Sequence, residues 1–431
     1  MTLIILLCSL VIFLVLGIPA VFSMGLSTIV YFIVDRGIFD IPFEMIAQKT
    51  VFGLNSFALL AVPLFLLVGR LMNESGTTEK LFMFAKALVG HFKGGLAHVN
   101  VLASVIFAGM SGSATADAAG LGQIEIKAMR DAKYDLDFSC SVTAASSLIG
   151  PIIPPSVPII LYAILGGVSV NALLIAGIIP GLLMAVSLML YIAYVVRKRN
   201  YPSEKRATFK QIMFAFKHAF LPLMTPVILI GGIISGAFTA TEAGAVAAFY
   251  ALILGVFVYR SISWRKLYDI FNKTMKDSSM IMIILAIANV FSWILTREKI
   301  PVVVSNIMLT ISDDYWAIMI MIILFLLFLG CFMSSIVSIN IATPVLVPVV
   351  VAAGGDPLHF GIIMILTLMV GELTPPFGMV LFAITRISDI KFDRLVRAVL
   401  PFLFPVIAVI VLVLLFPQIA TFLPHYLGGT G

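Results

Sequence analysis

Oxygen-bearing side chains gather at a few points of this chain, and each gathering lies beside a helix breaker. The segment Gly109-Met110-Ser111-Gly112-Ser113-Ala114-Thr115-Ala116-Asp117 is small and polar between apolar flanks. The hydroxyls of Ser111, Ser113 and Thr115, with backbone carbonyls freed at a helix end, are hard oxygen ligands. They suit an alkali cation better than a transition metal. Gly112 allows the backbone to stand exposed and approached closely. A second cluster, Ser334, Ser335, Ser338 and Asn340, keeps the oxygens without the glycines, and Thr343-Pro344 follows it. Two double-proline breaks accompany the clusters: Gly150-Pro151-Ile152-Ile153-Pro154-Pro155-Ser156 and Gly371-Glu372-Leu373-Thr374-Pro375-Pro376-Phe377-Gly378. Each proline removes a donor and frees the carbonyl four residues back. The amide end of a broken helix favours a carboxylate, and the carbonyl end favours Na⁺. The first tip is expected to face Gly150, Pro154 and Ser156, and the second Gly371, Thr374 and Pro376. A small-residue stretch also serves plain helix packing, and a Pro-Pro pair a plain kink.

Charged residues at membrane depth are functional candidates. Asp117 stands within the first tip, where it can also cap a helix or pair with a base. Arg297, in Arg297-Glu298-Lys299 before Pro301, suits an anionic substrate or the opposite hairpin, or simply ends a helix at the cytoplasmic face. Glu372 adjoins the second break as a neighbour for a cation. Glu242 opens a helix, where its charge suits the dipole, and reads as structural. The five histidines form no spaced cluster and none pairs with a plausible nucleophile, which disfavours a hydrolase or a metal enzyme. Cys8, Cys140 and Cys331 give neither a disulfide framework nor a metal pattern.

The elements that must hold these groups are transmembrane helices. Of 431 residues, 61% are hydrophobic and 11% charged, and the mean hydropathy is +1.15. Such a chain is an integral membrane unit with no separate soluble domain. Net charge +6 reflects a positive-inside bias, and no basic patch interleaved with aromatics points to nucleic acid. Apolar runs cover about 3–33, 53–73, 80–106, 136–166, 170–196, 219–259, 277–312, 316–350, 358–386 and 396–424. The run 219–259 reads as two spans with a turn at Ser235-Gly236, giving roughly ten to twelve spans plus two re-entrant hairpins. Residues 1–34 contain no base, so they read as a retained span, not a cleaved signal. Residues 38–51 read as an interfacial helix.

The chain is internally duplicated. Pro154 and Pro375 are 375 − 154 = 221 residues apart, Ser111 and Ser334 are 223 apart, and Pro180 and Pro401 are 221 apart. Where the first half has basic loops (Lys86 and Lys93; Lys127, Arg130 and Lys133; the 197–210 linker), the second has none. The neutral turn 166–171 maps near Arg386, Lys391 and Arg394. Under the positive-inside rule the halves have opposite topology, as in many secondary transporters. The fold expected is an all-α polytopic membrane protein: an inverted-repeat, elevator-type transporter with two re-entrant helical hairpins and two broken helices. Its expected parts are N-terminal scaffold helices (1–75), a first transport repeat (76–196, hairpin about 95–120, broken helix about 136–166), a linker with scaffold helices (197–310), a second transport repeat (311–400, hairpin about 328–353, broken helix about 358–386) and a C-terminal helix (401–431).

At these motifs, and at Phe238-Thr239-Ala240-Thr241-Glu242-Ala243 and Leu295-Thr296-Arg297-Glu298-Lys299-Ile300-Pro301, the chain resembles the large membrane subunit of tripartite ATP-independent periplasmic (TRAP) transporters. The resemblance covers nearly the whole length. It implies a Na⁺-driven elevator in a bacterial inner membrane that imports organic acids such as dicarboxylates or sialic acids. It also implies two separate partners, a small four-helix membrane subunit and a periplasmic substrate-binding protein. By analogy, more than one Na⁺ is held around Ser111, Gly112, Ser113, Thr115, Gly150, Pro154, Ser334, Ser338, Gly371, Thr374 and Pro376. The organic anion is met by Ser113, Asp117, Pro155, Ser156, Arg297, Ser335, Asn340 and Pro375. One departure stands out: many relatives carry an acid after the Phe-Met pair, and here Ser334 follows Phe332-Met333. The rival readings are a stand-alone symporter of the same architecture and a channel or scaffold without substrate coupling.

Overall fold

The computed structural model describes residues 2–199, 201–312, 314–376 and 378–427. Among them every regular element is helical. The chain opens with α1 (Thr2–Val15), α2 (Ala20–Arg36) and α3 (Phe43–Leu54). The run expected to cross as one span over 3–33 is therefore two helices packed on each other. Gly17, at φ +79°, and Pro19 force the break between them. α3 has no buried residue, as befits a helix lying at a surface.

A 3₁₀ turn at Phe57–Leu60 leads into α4 (Ala61–Glu74), followed by α5 (Thr77–Val89). Then come the hairpin arms α6 (Gly95–Ser111) and α7 (Ala114–Asp131). α8 (Leu136–Ser146) ends in a 3₁₀ turn at the first proline break, and α9 (Val157–Gly166) resumes beyond it. α10 (Val170–Ala176) and α11 (Ile178–Val196) close the first half. The second half holds α12 (Phe209–Ile234), α13 (Ala240–Ile253), α14 (Trp264–Arg297) and α15 (Ile300–Ile311). Its hairpin arms are α16 (Tyr315–Phe332) and α17 (Ser335–Ala352). α18 (Pro357–Glu372) and α19 (Met379–Ile387) flank the second break, before α20 (Phe392–Leu415) and α21 (Gln418–Tyr426).

Eight helices among the described residues have the length and composition to cross a bilayer, fewer than the ten to twelve the apolar runs suggested. The runs overcount because breakers divide them. α1, with 14 residues, is only ~21 Å long at 1.5 Å per residue, against a hydrocarbon core of ~30 Å. Gly236, at φ +70°, turns the chain between α12 and α13. Thr239 and Glu242 then form a reciprocal capping box, with Thr239 N donating to Glu242 Oε2 at 2.8 Å and Glu242 N to Thr239 Oγ1 at 3.3 Å. Glu242 thus has the structural role read from its position.

The duplication is visible in the element boundaries. α17 starts and ends 221 residues after α7 (335 − 114 and 352 − 131). The packing is crosswise: α9 lies on α17, and the equivalent pair α19 and α7 lie on each other. α16 and α18 meet so closely that a Cβ on Gly371 would stand 2.5 Å from the carbonyl carbon of Gly330. One continuous core joins both halves, and a smaller one gathers Leu6, Met24, Tyr31, Phe32 and Phe291 where α1 and α2 meet α14. Large apolar residues such as Leu190, Phe249, Leu324 and Phe404 are exposed on the outside of the protein.

Candidate substrate and cation site

The first hairpin tip is two residues long. α6 stops because Gly112 enters the left-handed region at φ +61°, and α7 restarts at the N-cap Ser113. Ser113 Oγ accepts from Ala116 N at 3.4 Å and lies 3.1 Å from Thr115 Oγ1. The tip sits on the first proline break. A Cβ on Gly112 would come within 2.4 Å of Pro155 O, and one on Gly150 within 3.3 Å of Ser113 O. Only glycine at 112 permits that approach. Inside the break, Ser156 caps α9 by accepting from Ile159 N at 3.2 Å, while its hydroxyl donates to Pro151 O. Pro154-Pro155 and Pro375-Pro376 are both cis peptide bonds.

The second tip is Met333-Ser334. Ser334 occupies the N-cap of α17 without a side-chain capping bond. Glu372, the last residue of α18, supplies a carboxyl group there: its Oε1 accepts from Ser335 N at 3.3 Å. An acidic side chain therefore does stand at this tip, reached from the break and not from position 334. Behind it, Thr374 Oγ1 donates at 2.8 Å to Val370 O, which also accepts from Leu373 N at 3.0 Å.

Both tips line one cavity of about 280 Å³, near the lower end for small-molecule sites. Gly112, Ser113 and Thr115 come from the first tip, Ser334, Ser335 and Glu372 from the second, and Asp277 and Met280 from α14. A neighbouring cavity of about 340 Å³ is lined by Ser111, Ser113 and Thr115 together with Arg70 and Asn73 of α4 and, again, Asp277. The remaining expected residues, Gly150, Pro154, Pro155, Ser156, Gly371, Thr374, Pro375 and Pro376, form the breaks that back the tips.

Several buried oxygens around the tips have no hydrogen-bond partner among the described residues: Ser111 Oγ, Asp117 Oδ1, Ser338 Oγ and Asn340 Oδ1. Leaving one such group unmet costs ~1–3 kcal/mol, so four of them near two hairpin tips fit a site that takes a cation. Asp117 is buried within α7 with the Ser104 hydroxyl beside its carboxylate. Ser104 in turn meets a buried network in which Ser146 Oγ donates to Asn100 Oδ1 and Asn100 Nδ2 to Thr143 Oγ1, each at 2.6 Å. Asn340 is partly satisfied, donating to Ile336 O at 2.7 Å.

Arg297 is not brought to this site. It lies 297 − 277 = 20 residues along α14 from Asp277, a distance of ~30 Å at helical rise. It pairs with Asp35 at 3.4 Å and rests 5.7 Å from the Trp293 ring, beside Glu298, which accepts from Tyr31 Oη at 2.5 Å. Arg70 and Asp277 are the charged cavity residues that sequence reasoning passed over. They pair across the cavity wall, Arg70 Nη2 donating to Asp277 Oδ2. Glu125, buried in α7 with an unpaired Oε1, was passed over as well. The sequence signal for all three was a charge next to or within apolar helix.

Comparison with known proteins agrees with this architecture. Residues 7–419 match the family model described as the tripartite ATP-independent periplasmic transporter, DctM component. The chain is 46% identical, over 96% of both sequences, to the sialic acid TRAP transporter large permease protein SiaM of Vibrio cholerae. It is 36% identical to the C4-dicarboxylate TRAP transporter large permease protein DctM of Pseudomonas aeruginosa, over 86% of this chain and 87% of that one. Among solved structures, the Alcanivorax borkumensis YdaH transporter superposes with a TM-score of 0.59 at 13% identity, covering 86% of this chain and 88% of its own, which is a likeness of fold. The chain belongs to the DctM family of TRAP transporter large permeases, and is a multi-pass protein of the inner membrane.

Proposed function

We propose that this chain is the permease subunit of a Na⁺-coupled importer of organic acid anions that depends on a periplasmic binding protein and a small four-helix membrane subunit. The reading rests above all on the shared cavity, where two hydroxyl-rich tips from opposite halves converge on one space. The tip hydroxyls, the freed carbonyls of the breaks and the unmet oxygens of Ser111, Ser338 and Asn340 hold Na⁺. The anion lies between Ser113 and Ser335, near the amide ends of α7 and α17. Charge inversion between the halves supports two opposed repeats that move as one body against α4 and α14, an elevator. The high identity to a sialic acid permease favours a sialic acid over a C4-dicarboxylate as cargo.

The test is reconstitution of the subunit with its two partners in liposomes. An inward Na⁺ gradient is expected to drive saturable uptake of labelled sialic acid that stops when the binding protein is omitted. Equal uptake without the binding protein would favour the stand-alone symporter. Unsaturable flux indifferent to Na⁺ would mean a channel.

A further inference from the structure

A cavity that receives an organic acid must hold a negative charge away from bulk water, and this one is short of positive charge. Among the described residues lining the two cavities there are two carboxylates, Asp277 and Glu372, and a single basic side chain, Arg70. Arg70 rises from α4 beside the first tip and shares a cavity wall with Ser111, Ser113 and Thr115. Its guanidinium is engaged by Asp277 from α14. Neither side chain is fully covered by the protein, Arg70 being 31% and Asp277 49% exposed. A pair so exposed is weakly held, and Asp277 can swing into water when displaced. A guanidinium in that position matches a carboxylate in two parallel hydrogen bonds, which a hydroxyl-lined tip cannot provide.

We propose that Arg70 is the carboxylate receptor for the transported anion, and that Asp277 is its internal competitor. In the empty site Asp277 neutralises Arg70. The incoming substrate carboxylate takes its place on the guanidinium, and Asp277 turns to solvent. Departure of the anion restores the internal pair, so Asp277 also speeds release. The two residues belong to elements outside the hairpins, so the anion would bridge the first tip to α4 only while it is bound. This assignment rests on the organic-acid reading given above.

Two substitutions separate the proposal from a purely structural ion pair, because each removes the same salt bridge. Arg70→Ala deletes the receptor, and Asp277→Asn deletes the competitor. In the reconstituted three-component system, with labelled sialic acid, Arg70→Ala is expected to raise KM roughly tenfold or more, the scale of one lost charged hydrogen bond. Asp277→Asn is expected to lower KM, with slower turnover at saturation. Arg70→Lys, which keeps charge without the fork, falls between wild type and Arg70→Ala. A shift of KM in the same direction in both variants, or in neither, overturns the proposal while uptake by the wild type leaves the transport reading intact. Absence of Na⁺-driven uptake of sialic acid and of succinate by the wild type overturns both.

Discussion

The seating of the first tip on its proline break can be weighed by comparing two glycines. Gly112 and Gly76 both lie in the left-handed region, at φ +61° and +70°. A Cβ on Gly76 meets nothing within 4 Å, whereas one on Gly112 lies 2.4 Å from Pro155 O, over an ångström inside ordinary contact. Gly76→Ala therefore costs the backbone term alone, ~1–2 kcal/mol. Gly112→Ala costs that and a steric term of ~1–3 kcal/mol for forcing the tip off the break. The difference, ~1–3 kcal/mol, corresponds to a factor of about 5–150 in the fraction of molecules with a seated tip. Stability can be followed through Cys140, which is fully buried: accessible thiols are blocked first, and a thiol-reactive dye then reports unfolding under denaturant. Initial Na⁺-driven uptake is measured on the same preparations. Gly112→Ala is expected to lose far more uptake than Gly76→Ala. Equal losses in the two would refute the argument, since the close approach to the first break is what should set Gly112 apart from another left-handed glycine.

Two further outcomes are expected. Ser113→Ala removes the N-cap of α7, worth ~1 kcal/mol, and one hydroxyl of the tip, so the Na⁺ concentration giving half-maximal uptake should rise several-fold, by roughly the factor of 5 that ~1 kcal/mol implies, with membrane abundance unchanged. An unaltered Na⁺ dependence would remove Ser113 from the cation site. Arg297→Ala breaks a partly exposed pair with Asp35, worth ~0–1 kcal/mol, and should leave KM for the acid within about twofold, because ~30 Å of helix separates it from the cavity. A large rise in KM would return Arg297 to the substrate.

What could be read from the sequence follows from local rules. Gly112 and Ser113 mark a helix end and the next helix start within two residues, and the Pro-Pro pairs mark breaks that no bilayer tolerates without a purpose. These signals are short-range, so the tips and breaks were legible, as was the 221-residue repeat that pairs them. The Arg70–Asp277 pair was not, because it joins residues 207 apart on helices whose rotation is set by packing. The same limit applied to Glu372, whose bond to Ser335 depends on α16 and α18 approaching at two glycines. Arg297 misled for the opposite reason: its motif is specific, but a motif carries no depth coordinate. The span count ran high where a run of apolar residues hid Gly17 and Pro19, breakers that divide one apparent crossing into two short helices.

The crosswise packing also sets a problem for synthesis. α9 has ten residues, about 15 Å of helix, too short to cross the bilayer by itself, and most of them are buried in the finished protein. Much of its cover comes from α17, which begins 335 − 166 = 169 residues later. At ~5–20 residues per second the ribosome needs roughly 10–30 s to deliver that partner. Throughout that interval the newborn first half sits in the membrane with an unfinished groove and loose helix ends facing lipid. Insertion machinery has to shelter it until the second half threads in, so a mutation that delays 335–352 would be felt as degradation of residues translated long before it.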